Sequence, residues 1–174
     1  MKSIITLALL AISITNAFGQ NYSEIETELR RGCLFLESPM GIVEDLIKSD
    51  KNYVFERDEF IHDEIVKFYF NKKMGSLLLI FYGDRKYSKY EKYCTKVIQS
   101  FYYPSSNYEI ILEKMRNRSL FKTVDSNTFY YLASTSPMYT ALKKQGFKIE
   151  VNVEEKVVDA KNKYQIMFTS EMKK

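Results

Sequence analysis

Apolar and polar side chains alternate along the C-terminal third of the chain. Phe147, Ile149, Val151 and Val153 are interleaved with Lys148, Glu150, Asn152 and Glu154. That period of two predicts a strand with one face on a core and the other in solvent. Tyr164, Ile166 and Phe168 repeat the pattern, so a closing hairpin is expected through the polar turn at residues 159–163. Upstream, residues 66–70 (VKFYF) and 77–82 (LLLIFY) predict a second hairpin around Asn71 to Gly75. Leu77 to Tyr82 is the longest apolar run of the body and, by its length, a buried strand.

A period near 3.6 marks three short helices. Ile42, Val43, Leu46 and Ile47 share one face, as do Tyr108, Ile111, Leu112 and Met115, and then Tyr139 and Leu142. Pro39, Pro104 and Pro137 stand at or just before these helix starts, where a missing N–H costs little. Ser38, Ser106 and Ser136 are the expected N-caps, and Gly146 is placed to end the last helix in the left-handed conformation. One stretch reads both ways. Tyr90, Tyr93, Cys94, Val97, Ile98 and Phe101 fit a helical period, yet an internal repeat asks for a strand near residues 95–103.

That repeat joins residues 101–124 to residues 129–151. Each copy holds an FYY triplet (Phe101-Tyr102-Tyr103; Phe129-Tyr130-Tyr131), a helix-like stretch with an early tyrosine, and an F-K opening to a strand. A fainter copy runs from Leu34-Phe35-Leu36 through Pro39 to Tyr53-Val54-Phe55. The repeat decides the ambiguous stretch in favour of a strand. The expected fold class is α+β: a single, mostly antiparallel sheet with short helices on one face, built from repeated strand–helix–strand units that share one core.

The first 19 residues follow different rules. Lys2 supplies a positive start, Ser3 to Ile14 is almost wholly apolar, and Ala17 and Gly19 place small residues before Gln20. This is the layout of a secretory signal peptide with cleavage between Gly19 and Gln20. The apolar run is too short to cross a bilayer, which needs about 20 residues. The expectation is a signal peptide at 1–19 and one globular domain at 20–174, exported to the periplasm or the extracellular space. No integral membrane span is expected after processing, and no cysteine follows the cleavage site to carry a lipid.

Composition narrows the function classes. The 26 basic and 22 acidic residues give a net charge of +4, but they are interleaved along the chain. A nucleic-acid partner calls for a clustered basic stripe, so none is expected. Cys33 and Cys94 are the only thiols. In an oxidising compartment they are a disulfide candidate, which would stabilise the fold by roughly 4 kcal/mol in the chain-entropy model. Two buried thiols are the alternative.

Catalytic motifs are sparse. His62, the only histidine, lies in the acidic run Asp58-Glu59-Phe60-Ile61-His62-Asp63-Glu64 without a nucleophile elbow, and reads as an exposed turn residue. Zinc lacks a four-ligand set, and Asp58, Asp63 and Glu64 lack the spacing of a calcium loop. The glycines are isolated, so no phosphate-cradling loop is expected. No cofactor or metal is therefore expected. Glu44-Asp45 and Glu154-Glu155 are carboxylate pairs in sequence only, since a glycosidase pair is defined in space. Asn21-Tyr22-Ser23 and Asn117-Arg118-Ser119 match the glycosylation sequon.

The tyrosines carry the binding hypothesis. There are 14 Tyr and 12 Phe but no Trp. Tyr87, Tyr90 and Tyr93 recur among basic residues, while Tyr102-Tyr103 and Tyr130-Tyr131 on strands put one ring on each sheet face. Tyrosine is enriched at interfaces. Tyr102, Tyr103, Tyr130, Tyr131, Tyr87 and Tyr90 are thus the candidate binding residues of an exported, non-enzymatic module for a protein or another envelope component. The alternatives are a small secreted hydrolase using His62 or a carboxylate pair, and a small-ligand carrier with an aromatic-lined cavity.

Overall fold

The computed structural model describes residues 22–85, 88–103, 107–133, 137–158 and 164–174; side chains are described for all of these except 88–90 and 137–139. Residues 1–21, which hold the expected signal peptide and the Gly19–Gln20 cleavage site, lie outside the described residues. The described residues begin with two helices, α1 (Tyr22–Phe35) and α2 (Met40–Ser49), followed by β1 (Tyr53–Ile61), β2 (Glu64–Asn71), β3 (Ser76–Arg85) and β4 (Ser88–Tyr103). Helix α3 (Tyr108–Arg116) leads to β5 (Phe121–Thr123) and β6 (Thr128–Tyr131); α4 (Pro137–Lys144) leads to β7 (Lys148–Val157) and β8 (Tyr164–Lys173).

All eight strands form one antiparallel sheet in the order β1-β2-β3-β4-β8-β7-β6-β5. Two four-stranded meanders, β1 to β4 and β5 to β8, are stitched together where β8 docks on β4. There Phe101 pairs with Ile166, and the Phe101 and Phe168 rings meet edge to face at 5.6 Å. The α+β reading therefore holds, with α1, α2 and α3 packed on one sheet face. Among the described residues the core joins Ile25, Leu29 and Cys33 of α1, Val43 and Ile47 of α2, and Ile111, Leu112 and Met115 of α3 to that face.

Turn chemistry explains the hairpins. His62 (φ 48°) and Asp63 (φ 65°) form the two-residue link between β1 and β2, with the positive φ values that a mirror-image hairpin turn requires. Between β2 and β3, Asn71 Oδ1 accepts the backbone N–H groups of Lys73 and Met74, and Gly75 takes φ 60°. After α4, Gly146 adopts φ 90°; its N–H reaches Lys143 O, and the Phe147 N–H reaches Leu142 O, satisfying carbonyls the helix leaves open.

Two expectations need correction, and the strand–helix–strand repeat is not confirmed: the element order follows it at β4–α3–β5 and β6–α4–β7, but the strands of the two copies pair differently. β6 and β7, which flank α4, are hydrogen-bonded neighbours, whereas β4 and β5, which flank α3, stand apart with β8, β7 and β6 between them. In the faint first copy, Leu34 and Phe35 end α1 instead of forming a strand. Ser38 is not a cap: Pro39 holds the N-cap position of α2, and the Ser38 hydroxyl donates back to Leu34 O. Ser106 and Ser136 lie outside the described residues.

The ambiguous stretch is strand throughout, and its helical period has a physical origin. Tyr82 pairs with Cys94 but Phe81 pairs with Lys96, so Thr95 is an extra residue in a β-bulge. The bulge changes parity. Cys94 lies on the helix-covered face, and beyond the bulge so do Val97, Gln99, Phe101 and Tyr103, all buried. The three-residue step from Cys94 to Val97 is that change of parity, not a helical turn.

Candidate functional site

Paired strand residues share a face, so the register assigns every side chain to the covered or the open side of the sheet. On the covered side, one row runs Tyr69, Leu78, Gln99, Phe168, Val153, and every member is buried. On the open side, the adjacent row runs Arg57, Phe68, Leu79, Ile98, Thr169, Asn152, Thr128. A parallel row runs Val54, Phe70, Leu77, Ser100, Met167, Glu154. The open face is thus apolar over β2 and β3, mixed over β4, where Ile98 stands between Lys96 and Ser100, and polar over β7 and β6.

The two halves are finished differently. In the polar half the groups satisfy one another: Thr128 Oγ1 donates to Asn152 Oδ1 at 2.8 Å, Asn152 Nδ2 to Glu150 at 3.1 Å, and Lys173 pairs with Glu171 at 2.6 Å. In the apolar half, long cations cover only the margins. The Arg57 guanidinium lies 4.1 Å from the Phe68 ring centre, and Lys96 Nζ lies 4.9 Å from that of Phe81. Beside these contacts Leu79 and Ile98, and in the next row Phe70, Leu77 and Met167, stay half-buried, and no described helix packs over them. Beside this strip β1 is an edge strand, with Phe55 51% and Phe60 70% exposed.

Among the described residues, Tyr102 and Tyr103, and likewise Tyr130 and Tyr131, lie on opposite faces of the sheet, and these four do not form a displayed patch. Tyr103 and Tyr131 point into the core. Tyr102 is buried on the open side, where Gln165 Nε2 donates to its hydroxyl at 3.3 Å, and burial pushes its pKa up to about 12. Tyr130 is half-buried beneath Lys148, whose Nζ lies 4.7 Å from the ring centre. Tyr87 lies outside the described residues, as does the Tyr90 side chain. The residues that build the open strip are Phe and Leu of β2 and β3. Their signal was present in the sequence as two apolar runs on consecutive strands, which alternation alone reads as core.

Cys33 and Cys94, for which the sequence left a disulfide and two buried thiols open, are both buried free cysteines in this structure. Cys33 faces Ser170 Oγ at 3.8 Å, and burial raises its pKa to about 12. Cys94 donates toward Lys96 O, and burial, aided by the Glu37 carboxylate, raises its pKa well above the ordinary thiol value. Both are kept as neutral thiols.

His62 is exposed at the tip of the β1–β2 hairpin and lines none of the three clefts described below. Glu154 and Glu155, adjacent in sequence, project to opposite faces of β7. Glu44 is held by Lys67 and by Lys48, while Asp45 faces solvent. Among the described residues no cluster of three or more His, Cys, Asp or Glu is arranged to hold a metal ion.

Three surface clefts among the described residues are lined by charges that are mostly already paired. One of about 510 Å³ holds Glu37, Asp84 and Arg85 against Leu142, Phe147 and Met172. Glu37 takes φ 61° and grips the Arg85 guanidinium with both oxygens, and Asp84 pairs with Lys92 at 3.0 Å. A second, of about 420 Å³, lies between α1 and α2, where Arg31 is tied to Asp50 at 2.8 Å. The third, of about 330 Å³, lies where α1 meets the end of α3 and includes Tyr22, Lys114 and Arg118. The aromatics that a carrier cavity would need (Phe101, Phe129, Phe168, Tyr103 and Tyr131) pack into the common core. No family model, no curated protein and no solved structure matches this chain.

Proposed function

We propose that this chain is an exported, non-enzymatic module that binds another protein or envelope component through the open face of β2 to β4. The single observation behind this reading is the open row that is apolar from Phe68 through Leu79 to Ile98 and turns polar at Thr169. A sheet face meant only for solvent alternates apolar-in with polar-out over its whole width. Here that rule is obeyed over β7 and β6 and broken over β2, β3 and, at Ile98, β4. A half-buried apolar strip rimmed by Arg57 and Lys96 has the plan of an interface, with a desolvated centre and a polar margin. This reading centres the contact on that strip, with the tyrosine candidates Tyr87 and Tyr90 outside the described side chains.

The test is site-directed photo-crosslinking in the native compartment. A photoreactive phenylalanine analogue at Leu79 is expected to give one discrete adduct, and the same analogue at Lys122, on the polar half, is expected to give none. Equal labelling from both positions, or none from Leu79, removes the reading.

A further inference from the structure

We infer that the edge strand β1 accepts an extended, basic segment of a partner polypeptide as a ninth strand. This goes beyond the face-binding reading and concerns a different surface. Among the described residues β1 pairs with β2 alone, so about half of its backbone N–H and C=O groups point outward, free to continue the ladder. The usable stretch is short and regular. A bulge interrupts the register between Phe55 and Arg57, and from Arg57 to Ile61 the pairing with β2 is continuous.

Side chains on this edge argue for a partner of defined charge. Phe60 is 70% exposed on an edge strand, where solvent-adapted sheets place charge or proline. Around it stand Glu56, Asp58 and Glu59, all exposed, against the single Arg57. Arg57 is already spent on Glu59 at 2.7 Å and on the Phe68 ring. The strand therefore carries surplus negative charge in a chain whose overall charge is +4. A second copy of β1 would bring the same surplus. A strand with lysine or arginine beside Asp58 and Glu56, and an apolar residue beside Phe60, complements it. Backbone hydrogen bonds then supply the attraction, and the carboxylates select the partner.

The experiment measures fluorescence anisotropy of labelled peptides against the full chain. The probes are a nine-residue peptide alternating lysine and valine, matched to the length of β1, a glutamate–valine counterpart, and a lysine–valine peptide N-methylated at alternate amides. The lysine–valine peptide should bind roughly tenfold tighter than its acidic counterpart, and less so as salt rises. D58K/E59K should reverse the preference, and N-methylation should abolish binding. Equal binding of the N-methylated peptide would show charge attraction without strand addition, and would overturn the inference. So would no peptide binding, or self-association through β1 in its place. A crosslink from Leu79 with no peptide binding would retain the face reading and remove this one.

Discussion

Gln99 reaches out of the sheet to the backbone of α1, its Nε2 donating to the Glu28 carbonyl oxygen at 2.6 Å. The helix comes close enough for this because position 32 is glycine. A β-carbon there would stand 2.8 Å from Gln99 Oε1 and 3.2 Å from Val97 Cγ1. Gly32→Ala should therefore destabilise the protein by about 1–3 kcal/mol through overpacking. Urea unfolding should show a lower midpoint with an unchanged slope. Removing the clashing amide with Gln99→Ala in the G32A background should recover part of that loss, as coupling between touching residues requires.

Beside that contact Glu28 is a buried carboxylate. Burial raises its pKa above the ordinary value of 4.5, against the pull of the Tyr53 hydroxyl, which donates to it, and of Arg31. A raised carboxylate pKa in the folded state means that the folded form binds the extra proton. Its stabilising contribution is fully present below pH 4.5 and is lost as pH rises through the elevated value. Glu28→Gln should remove that decline, visible as a flatter stability curve on the alkaline side of pH 4.5. Asp50 behaves oppositely. Despite some burial, the Asn52 N–H and Arg31 hold its pKa below 3.8, so its contribution is present above that pH and lost below it. Asp50→Asn should flatten the acid limb.

The two faces of the sheet should answer mutation differently. Phe168 is fully buried between Gln99 and Val153, and Phe168→Ala should cost about 3–5 kcal/mol. Leu79, in the adjacent row on the open side, is only half-buried. Leu79→Ser should cost clearly less, about 1 kcal/mol, because little desolvated packing is removed. Thermal unfolding of the two variants side by side separates the core face from the displayed one.

Much of this architecture was readable from residue patterns. The hairpin at Asn71–Gly75, the alternation from Ile149 to Val153 and the helix end at Gly146 depend on local chemistry, which sequence records directly; β7 and β8 pair as expected, while the turn at 159–163 lies outside the described residues. Helix α1 was not anticipated. Its apolar stripe, Tyr22, Ile25, Leu29 and Cys33, is thinned by Glu24, Glu26, Glu28, Arg30 and Arg31, and its end, Leu34-Phe35-Leu36, imitates a strand. Strand order was equally hidden. The junction of β4 with β8 joins residues more than 60 positions apart, and nothing in the FYY motif reports that one copy flanks paired strands and the other does not. The open strip was missed for a related reason: Phe68, Leu79 and Ile98 look like core until the register shows that the helices lie on the other side.

Cys33 and Cys94 provide an independent check on the packing. Both are buried, and both have raised pKa values, Cys33 to about 12. A thiol must expose itself and lose its proton to react. An aromatic disulfide reagent at pH 8 should therefore label neither cysteine at an appreciable rate in the native protein, and both at once in denaturant. Rapid native labelling of either would mean that α1 does not seal the sheet as described.

Photo-crosslinking from Leu79, compared with Lys122, decides the central claim most directly. The two positions lie on the same uncovered side of the same sheet, one in the apolar half and one in the polar half. The account requires a single defined adduct from Leu79 and silence from Lys122. Labelling that ignores the difference between them, or a Leu79 probe that captures nothing in the native compartment, would contradict it.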